Sequence, residues 1–532
     1  MEATSFERIL LLGQITAKVF FLVIFLLLLS NSKVVTCSIV KSLPGFPGSL
    51  PFHLETGYIG VDEKDDVQLF YYFVESERNP RDDPLLLWLT GGPTCSALSG
   101  LAFEIGPIKF NMVEYNGSLP TFVLNPYSWT KVSSIIFVDA PVGTGFSYPR
   151  SLQWSSDALF VNHIYSFLMK WLIYHPKFIT NPIYIAGDSY CGMIVPVIAQ
   201  EIVKGIEVGD IPAINLKGYL LGNPSTDISF DENSKVAYAH RMALIPDELY
   251  KSAKKNCRGQ YTGIVKSNKQ CAKDLQAIAS CTEKLNHEHI LEPRCHSSFP
   301  VVSMMNGNRK YHIERLREPS LAVNPSHLGL GPKHVDFPIF GCRNYQNFLM
   351  HVWANDADVQ KALGVQKRMF WARCNTSLPY ERYFRSVLSY HQSLTTRGYR
   401  ALIYSGDHDM IIPHLGTLAW IKSLNFIIVD HWRPWLVDGQ VAGYSVEYSN
   451  NFTFATVKLL SRREEVTQLQ SISLRNALPC SKDGSLMSHS NSHFRGARLY
   501  CAKMYLQCSH VVFVKETKLP CCILFECLML KF

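Results

Sequence analysis

"PIYIAGDSYCGM" (182–193) decides the fold of this chain. "PIYI" is a short apolar run with strand character, and it stops at Gly187, two residues before Ser189. Cys191 stands two residues after the serine and Gly192 follows, so with Gly187 two before it the positions two either side of Ser189 are small. A strand that turns abruptly into a helix at a serine lifts the hydroxyl out of the sheet, where a base can take its proton, and small flanking residues are the steric condition for that turn. Taken alone, a G-x-S turn after a strand is only a turn, so its meaning depends on the segments around it.

On either side of Ser189 the chain alternates strand and helix. "LLLWL" (85–89), "SSIIFVD" (133–139), "PIYIA" (182–186) and "LKGYLL" (216–221) are apolar runs closed by glycine or polar turn residues. They read as buried parallel strands. "SSDALFVNHIYSFLMKWLIYHP" (155–176) repeats its apolar residues at helical spacing, and "MIVPVIAQEIVK" (193–204) is helical but for Pro196. The alternation predicts βαβ units and an α/β fold with a doubly wound, mostly parallel sheet. From about 231 to 341 the strand pattern gives way to polar, cysteine-bearing segments, which predicts a helical insertion or lid. Strands return with "RALIYS" (400–405) and "NFIIVD" (425–430), and "WLVDGQVAGYSVEY" (435–448) alternates about Asp-Gly as a hairpin does.

The chain has 532 residues, 47% hydrophobic and 18% charged, enough for one large or two ordinary globular domains. Its formal charge of +8 is not gathered into a basic stripe interleaved with aromatics, which argues against nucleic acid as a partner. Residues 459–532 hold ten Lys/Arg against five Asp/Glu and six of the fifteen cysteines, so the basic balance is mostly a property of this tail. Near the start, "VFFLVIFLLLL" (19–29) follows Arg8 and Lys18 and has the length of a secretory h-region, short for a bilayer span. Residues 1–37 are therefore expected to be a cleaved signal peptide in preference to an uncleaved anchor, and no stable membrane span is expected. Sequons at Asn116, Asn375 and Asn451 fit glycosylation in the secretory pathway, ending outside the cell or in a vacuole.

Two further segments carry chemistry. In "LLLWLTGGPTCSALSG" (85–100) a strand ends on Gly91-Gly92, where backbone N–H groups can approach a developing oxyanion unobstructed, and the backbone N–H of Tyr190 would complete the hole. In "YSGDHDMIIPHLGT" (404–417) Asp407 and Asp409 both end a late strand, where an acid can orient an imidazolium. Serine first and acid later on a doubly wound sheet is the chain order of the α/β-hydrolases, which place their histidine last.

Six ordered motifs make the pattern specific. "WLTGGPTCSALSG", "FVDAPVGTGFSY", "GDSYCG", "LLGNPSTD", "WANDADVQKALGV" and "YSGDHDMIIP" together resemble the plant serine carboxypeptidase-like family over roughly 45–458, within a domain of 38–458. The resemblance implies an α/β-hydrolase fold, Ser189 as nucleophile, Asp409 as triad acid, and Gly92 with Tyr190 as the oxyanion hole. It also implies disulfides Cys95–Cys374 and Cys257–Cys271. The pairing of Cys281, Cys295 and Cys342 stays open, since sequence does not fix connectivity. No cofactor and no metal is implied, and the tail has no zinc-ligand spacing.

Carboxypeptidases of the family typically carry Asn before Gly-Gly-Pro and Glu before the serine, polar groups that hold a free peptide carboxylate. This chain has Thr90, beside Gly91, and Asp188. Those residues, with "SCTEKLNHEHILEPRC" (280–295), resemble the acyltransferase branch, which moves an acyl group from a glucose ester through an acyl-serine to a specialised-metabolite acceptor. The partners expected are thus a small acyl donor and acceptor, with a peptide C-terminus as the alternative; oligomeric state is not legible.

Two departures stand out. In the family, the strand matching "NNFTFATVK" (450–458) runs into a glycine-rich turn bearing the catalytic histidine, whereas Lys458 is followed by "LLSRREEV". The next histidines, His489, His493 and His510, lie in no such context. The triad therefore reads as incomplete, and 459–532 as an aberrant tail that suggests an altered gene product or an inactive family member. Thr94 stands where the family has glycine, a strained choice if that position needs positive φ.

Overall fold

The computed structural model describes residues 37–62, 66–151, 154–263, 268–294, 298–305, 308–315, 340, 342–437 and 439–458. Its centre is a mixed sheet containing β1 (Cys37–Ile39), β2 (Leu54–Gly60), β3 (Val67–Val74), β4 (Leu85–Leu89), β5 (Ser134–Val138), β6 (Ile183–Asp188), β7 (Leu216–Gly222), β8 (Arg400–Gly406), β9 (Ile428–Val437), β10 (Gln440–Tyr448) and β11 (Phe452–Val457). In space these strands run β1-β2-β3-β5-β4-β6-β7-β8-β11-β10-β9. The central run β5-β4-β6-β7-β8-β11 is parallel, and antiparallel strands flank it at both edges. β4 and β5 are buried along their whole length, which is why they read as unbroken apolar runs without alternation.

Helices cover both faces. On one, α1 (Asp157–Tyr174), α2 (Cys191–Val208), α8 (Leu388–Thr396) and α9 (His414–Ser423) pack over β4, β6, β8 and β11. On the other, α6 (Arg343–Ala354) and α7 (Ala357–Ala362) set Tyr345, Phe348, Trp353 and Val359 against Trp88, Phe137 and Tyr184. Ser156 caps α1, its hydroxyl accepting from the Leu159 N–H. α2 runs straight through Pro196, although an internal proline forfeits a backbone hydrogen bond and costs roughly 3 kcal/mol. Burial of nearly the whole helix outweighs that loss, since Ile194, Val195, Ile198 and Ile202 are fully enclosed.

Between β7 and α6 come α3 (Ile228–Arg241), α4 (Asp247–Cys257) and α5 (Lys269–Thr282), which share a small core of their own with Met410. The strand pattern does not stop there altogether, because Ser298–Met305 and Asn308–Arg315 form an antiparallel hairpin. The expected hairpin near the end of the domain is β9–β10, with Val437 opposite Gln440 and Gly439 at φ +76° in the turn. β9 starts at Ile428, later than its apolar residues suggest. No described helix is long and apolar enough to cross a membrane. Residues 1–36 and 459–532, and with them nearly all of the leader, the whole tail and its three histidines, lie outside the described residues.

Candidate active site

Ser189 sits in the turn between β6 and α2 with φ +53°, a left-handed conformation costly for a residue with a Cβ. The turn is held from three sides: Ser189 N donates to Gly222 O at 2.9 Å, while Ser225 N and Gly192 N donate to Ser189 O at 2.9 and 3.0 Å. Close packing explains the glycines. A Cβ on Gly91 would stand 2.7 Å from Ser189 Cβ and 2.8 Å from Asp188 O, and one on Gly192 would stand 2.3 Å from Ser225 O. Cys191 is fully buried beneath the turn. Ser189 itself is half-buried, and its hydroxyl has no hydrogen bond to any described residue.

The Gly91-Gly92 loop lies directly against the elbow. The same hypothetical Cβ on Gly91 would be 3.0 Å from Tyr190 N, so the two backbones proposed for an oxyanion hole are neighbours. Gly92 has φ +125° and admits no side chain without strain. Thr94 is not among the residues with positive φ, so its β-branch causes none of the strain feared for that position. Cys95 is joined to Cys374, anchoring this loop to a segment 279 residues away. Buried Asp139 fixes it further, accepting from Ser96 Oγ at 2.6 Å and Ala97 N at 2.8 Å. Tyr190 is pinned through its hydroxyl to Asp157, which also accepts from Tyr380 Oη and the N–H groups of Tyr383 and Phe384.

One wall of the site is acidic. Asp188 Oδ1 accepts the Gly91 N–H at 3.0 Å, and the buried Thr90 hydroxyl accepts from Trp88 Nε1 at 3.3 Å. Glu104 joins this wall, a residue the sequence did not mark out although it lies within an otherwise apolar stretch, "GLAFEIG" (100–106). Burial, and then the charge of Asp188, push the Glu104 carboxyl up to about 8, with Arg373 tempering the effect. Burial likewise lifts Asp188 to about 6, against the pull of the Gly91 N–H and Arg373. The charge of Asp188 thus favours a proton on Glu104.

On the other side stands Asp409, at the start of the turn that follows β8. Its Oδ1 accepts from the N–H groups of Ile411 and Ile412 at 2.6 and 3.1 Å, and its Oδ2 from Asn223 Nδ2 at 2.8 Å. Burial lifts its carboxyl to about 6, with these donors pulling the other way. Asp407, the other candidate, faces His408 instead, with Oδ1 2.7 Å from Nδ1. Asn223 was also missed by sequence reasoning, although it lies in the quoted "LLGNPSTD". Among the described residues no imidazole is hydrogen-bonded to Asp409 or to Ser189. β11 ends beside this loop, where Asp407 N donates to Val457 O at 3.0 Å.

The remaining expected residues sit apart from the elbow. Cys257 is joined to Cys271 between α4 and α5. Cys342 is disulfide-bonded to a partner outside the described residues, while Cys281 is an exposed free thiol. Asn116 and Asn451 are exposed; Asn375 is partly buried, its Nδ2 donating to Gly143 O at 2.9 Å. No group of three or more His, Cys, Asp or Glu among the described residues is arranged to hold a metal ion.

The chain belongs to the serine carboxypeptidase family, whose model matches residues 44–459. It is 47% identical over 441 residues to serine carboxypeptidase-like 2 of Arabidopsis thaliana, covering 82% of this chain and 91% of that protein. To serine carboxypeptidase-like 1 of the same plant it is 49% identical over 437 residues, covering 81% and 90%. Among solved structures it resembles Kex1(delta)p, a prohormone-processing carboxypeptidase from Saccharomyces cerevisiae, with a TM-score of 0.58 and 21% identity over 79% of this chain and 89% of that one. At that identity the likeness speaks for the α/β-hydrolase fold alone.

Proposed function

We propose that this protein is built for acyl transfer through an acyl-serine, from a glucose ester to a specialised-metabolite acceptor. Ser189 Oγ gives up its proton and attacks the ester carbonyl, the backbone N–H groups of Gly92 and Tyr190 receive the oxyanion, glucose leaves with that proton on its oxygen, and the acceptor's hydroxyl or amine resolves the acyl-serine, its own proton returning to Ser189 Oγ. The observation that carries this reading is the pair Thr90 and Asp188. Thr90, whose hydroxyl accepts from Trp88 Nε1, and Asp188, which accepts the Gly91 N–H, stand where carboxypeptidases of the family typically carry Asn and Glu, so the side-chain amide donor of that Asn is missing from this wall. Peptide hydrolysis is the second reading, favoured by a protonated Glu104 and by Arg373 on the same wall, two groups able to hold a carboxylate.

Both readings need a base for Ser189, and we propose that this chain lacks it. The family match ends at residue 459, just after the strand that leads to the histidine in the family. Residues 459–532 are then a tail foreign to the family, 1–37 a signal peptide, and 231–341 a lid over a protein of the secretory route. The disulfides support that route.

A serine-directed phosphonate, followed by mass spectrometry with Ser189→Ala as control, tests the site. Stoichiometric labelling of Ser189 would show that a base survives, overturning the proposed loss. Glucose-ester and blocked-dipeptide substrates would then separate transfer from hydrolysis. Labelling that appears only when a Gly-Gly-Gly-His ending follows Lys458 confirms the loss.

A further inference from the structure

The segment 280–295 has a distinctive sequence, yet the chemistry at Ser189 makes no use of it. Residues 287–292 lie as a strap on the loop that carries Asp409. Two backbone bonds fasten them: Met410 N donates to His287 O at 2.9 Å and Ile290 N to His408 O at 3.1 Å. Met410 is buried in the core shared by α3, α4 and α5, with Ile290 packed against the same cluster. Between the two bonds His289 is stacked on His408, ring centroids 5.4 Å apart and planes 20° from parallel.

His289 is only 3% exposed, and its Nδ1 is enclosed with no hydrogen-bond partner among the described residues other than residue 289 itself. We propose that His289 is a proton-operated latch: neutral, it holds residues 287–292 on the Asp409 loop, and protonated, it lets them go. The groups that face it decide the direction. From the strap itself comes Glu292, whose carboxylate favours an imidazolium although it also accepts from the Arg343 fork, at 2.9 Å from Nε and 2.8 Å from Nη2. From α6 comes the Arg343 guanidinium, a second cation. From the loop comes His408, backed by Asp407 and His414. Glu288 lies towards Asp409 and Arg343.

An imidazolium at residue 289 would thus be enclosed beside Arg343 and against the His408 ring, and burial outweighs the help that Glu292 and the backbone of residue 289 would give it. Burial accordingly holds His289 below the ordinary histidine range. A base lowered in the docked state favours docking above its ordinary value and loses that advantage as pH falls below it. One proton shifts the balance by up to tenfold per pH unit.

Hydrogen exchange of the full chain without substrate, at pH 7.5 and pH 5 and corrected for intrinsic rates, tests the latch. Protection of the Ile290 and Met410 amides is expected to fall severalfold at pH 5 while that of β6 and β7 is kept. His289→Phe, which keeps a ring and cannot titrate, is expected to hold it at both pH values, with His289→Gln as the second non-titrating variant. Equal protection of the wild type at both pH values would overturn the latch, as would a fall that persists in a folded variant. Asp409 as triad acid gives the latch its catalytic meaning, but the readout involves neither Ser189 nor a substrate, so its failure is separate from a failure of labelling.

Discussion

Asn223 and Asp409 meet across the candidate site, the Asn223 side-chain amide donating to the Asp409 carboxylate at 2.8 Å over 186 residues of sequence. Asn223 also accepts the Gly406 N–H through Oδ1, and the carbonyl just before it, Gly222 O, receives the Ser189 N–H. One residue thereby fixes the acid loop to the elbow, and it adopts φ +40° to do so.

Asn223→Ala should destabilise the fold by about 2 kcal/mol at pH 8, the usual worth of a hydrogen bond to a charged group. The loss should shrink below pH 6, because the carboxyl, lifted to about 6 by burial, is then protonated and needs the donor less. Urea unfolding at the two pH values checks both the size and the sign.

Gly91→Ala places a methyl 2.7 Å from Ser189 Cβ and 2.8 Å from a backbone oxygen, neither of which is the free end of a flexible side chain. The expected cost is about 1–3 kcal/mol of overpacking, seen as a lower thermal midpoint. Gly209→Ala, where a Cβ meets nothing within 4 Å but φ is +85°, separates conformational strain from crowding.

Glu104 gives a pH dependence of the opposite sense to ordinary acid unfolding. Its carboxyl is raised in the fold, so its contribution to stability is whole below the ordinary glutamate value and is lost as pH rises through about 8. Stability should fall between pH 5 and pH 8 with a slope of up to about 1.4 kcal/mol per pH unit for one proton. Glu104→Gln should flatten that slope, and denaturant titrations across the range read it directly.

Glu55 behaves the other way. Burial would raise its carboxyl, but hydrogen bonds from His175 Nε2 at 2.9 Å and Tyr71 Oη at 2.6 Å outweigh it and bring it below its ordinary value. This pair ties β2 to the end of α1, where His175 stacks on Trp171 at 3.9 Å. Its stabilisation is present above the ordinary glutamate value and disappears as pH falls through the lowered one. Glu55→Gln should cost about 2 kcal/mol at pH 7, the usual worth of a hydrogen bond to a charged group, and much less at pH 3. Urea unfolding of both proteins at pH 7 and pH 3 measures the difference.

The sequence by itself determined the sheet and the place of the elbow. β4, β5, β6 and β7 are buried on both faces, so their residues had to be apolar nearly throughout, and such a run is visible with no knowledge of its neighbours. Ser189 was legible because a tight strand-to-helix turn restricts the residues beside it. The course of α2 through Pro196 was not, because only enclosure on all sides decides whether an internal proline is tolerated. Glu104, Asn223 and the His289–His408 stack were hidden for a related reason. Each owes its meaning to a partner far off in the chain, Asp188, Asp409 or a loop beyond α6, and hydrogen bonding, charge and exclusion of water depend on distance in space. Local sequence carries the periodicity that builds strands and helices; only the folded chain decides which buried polar groups find one another.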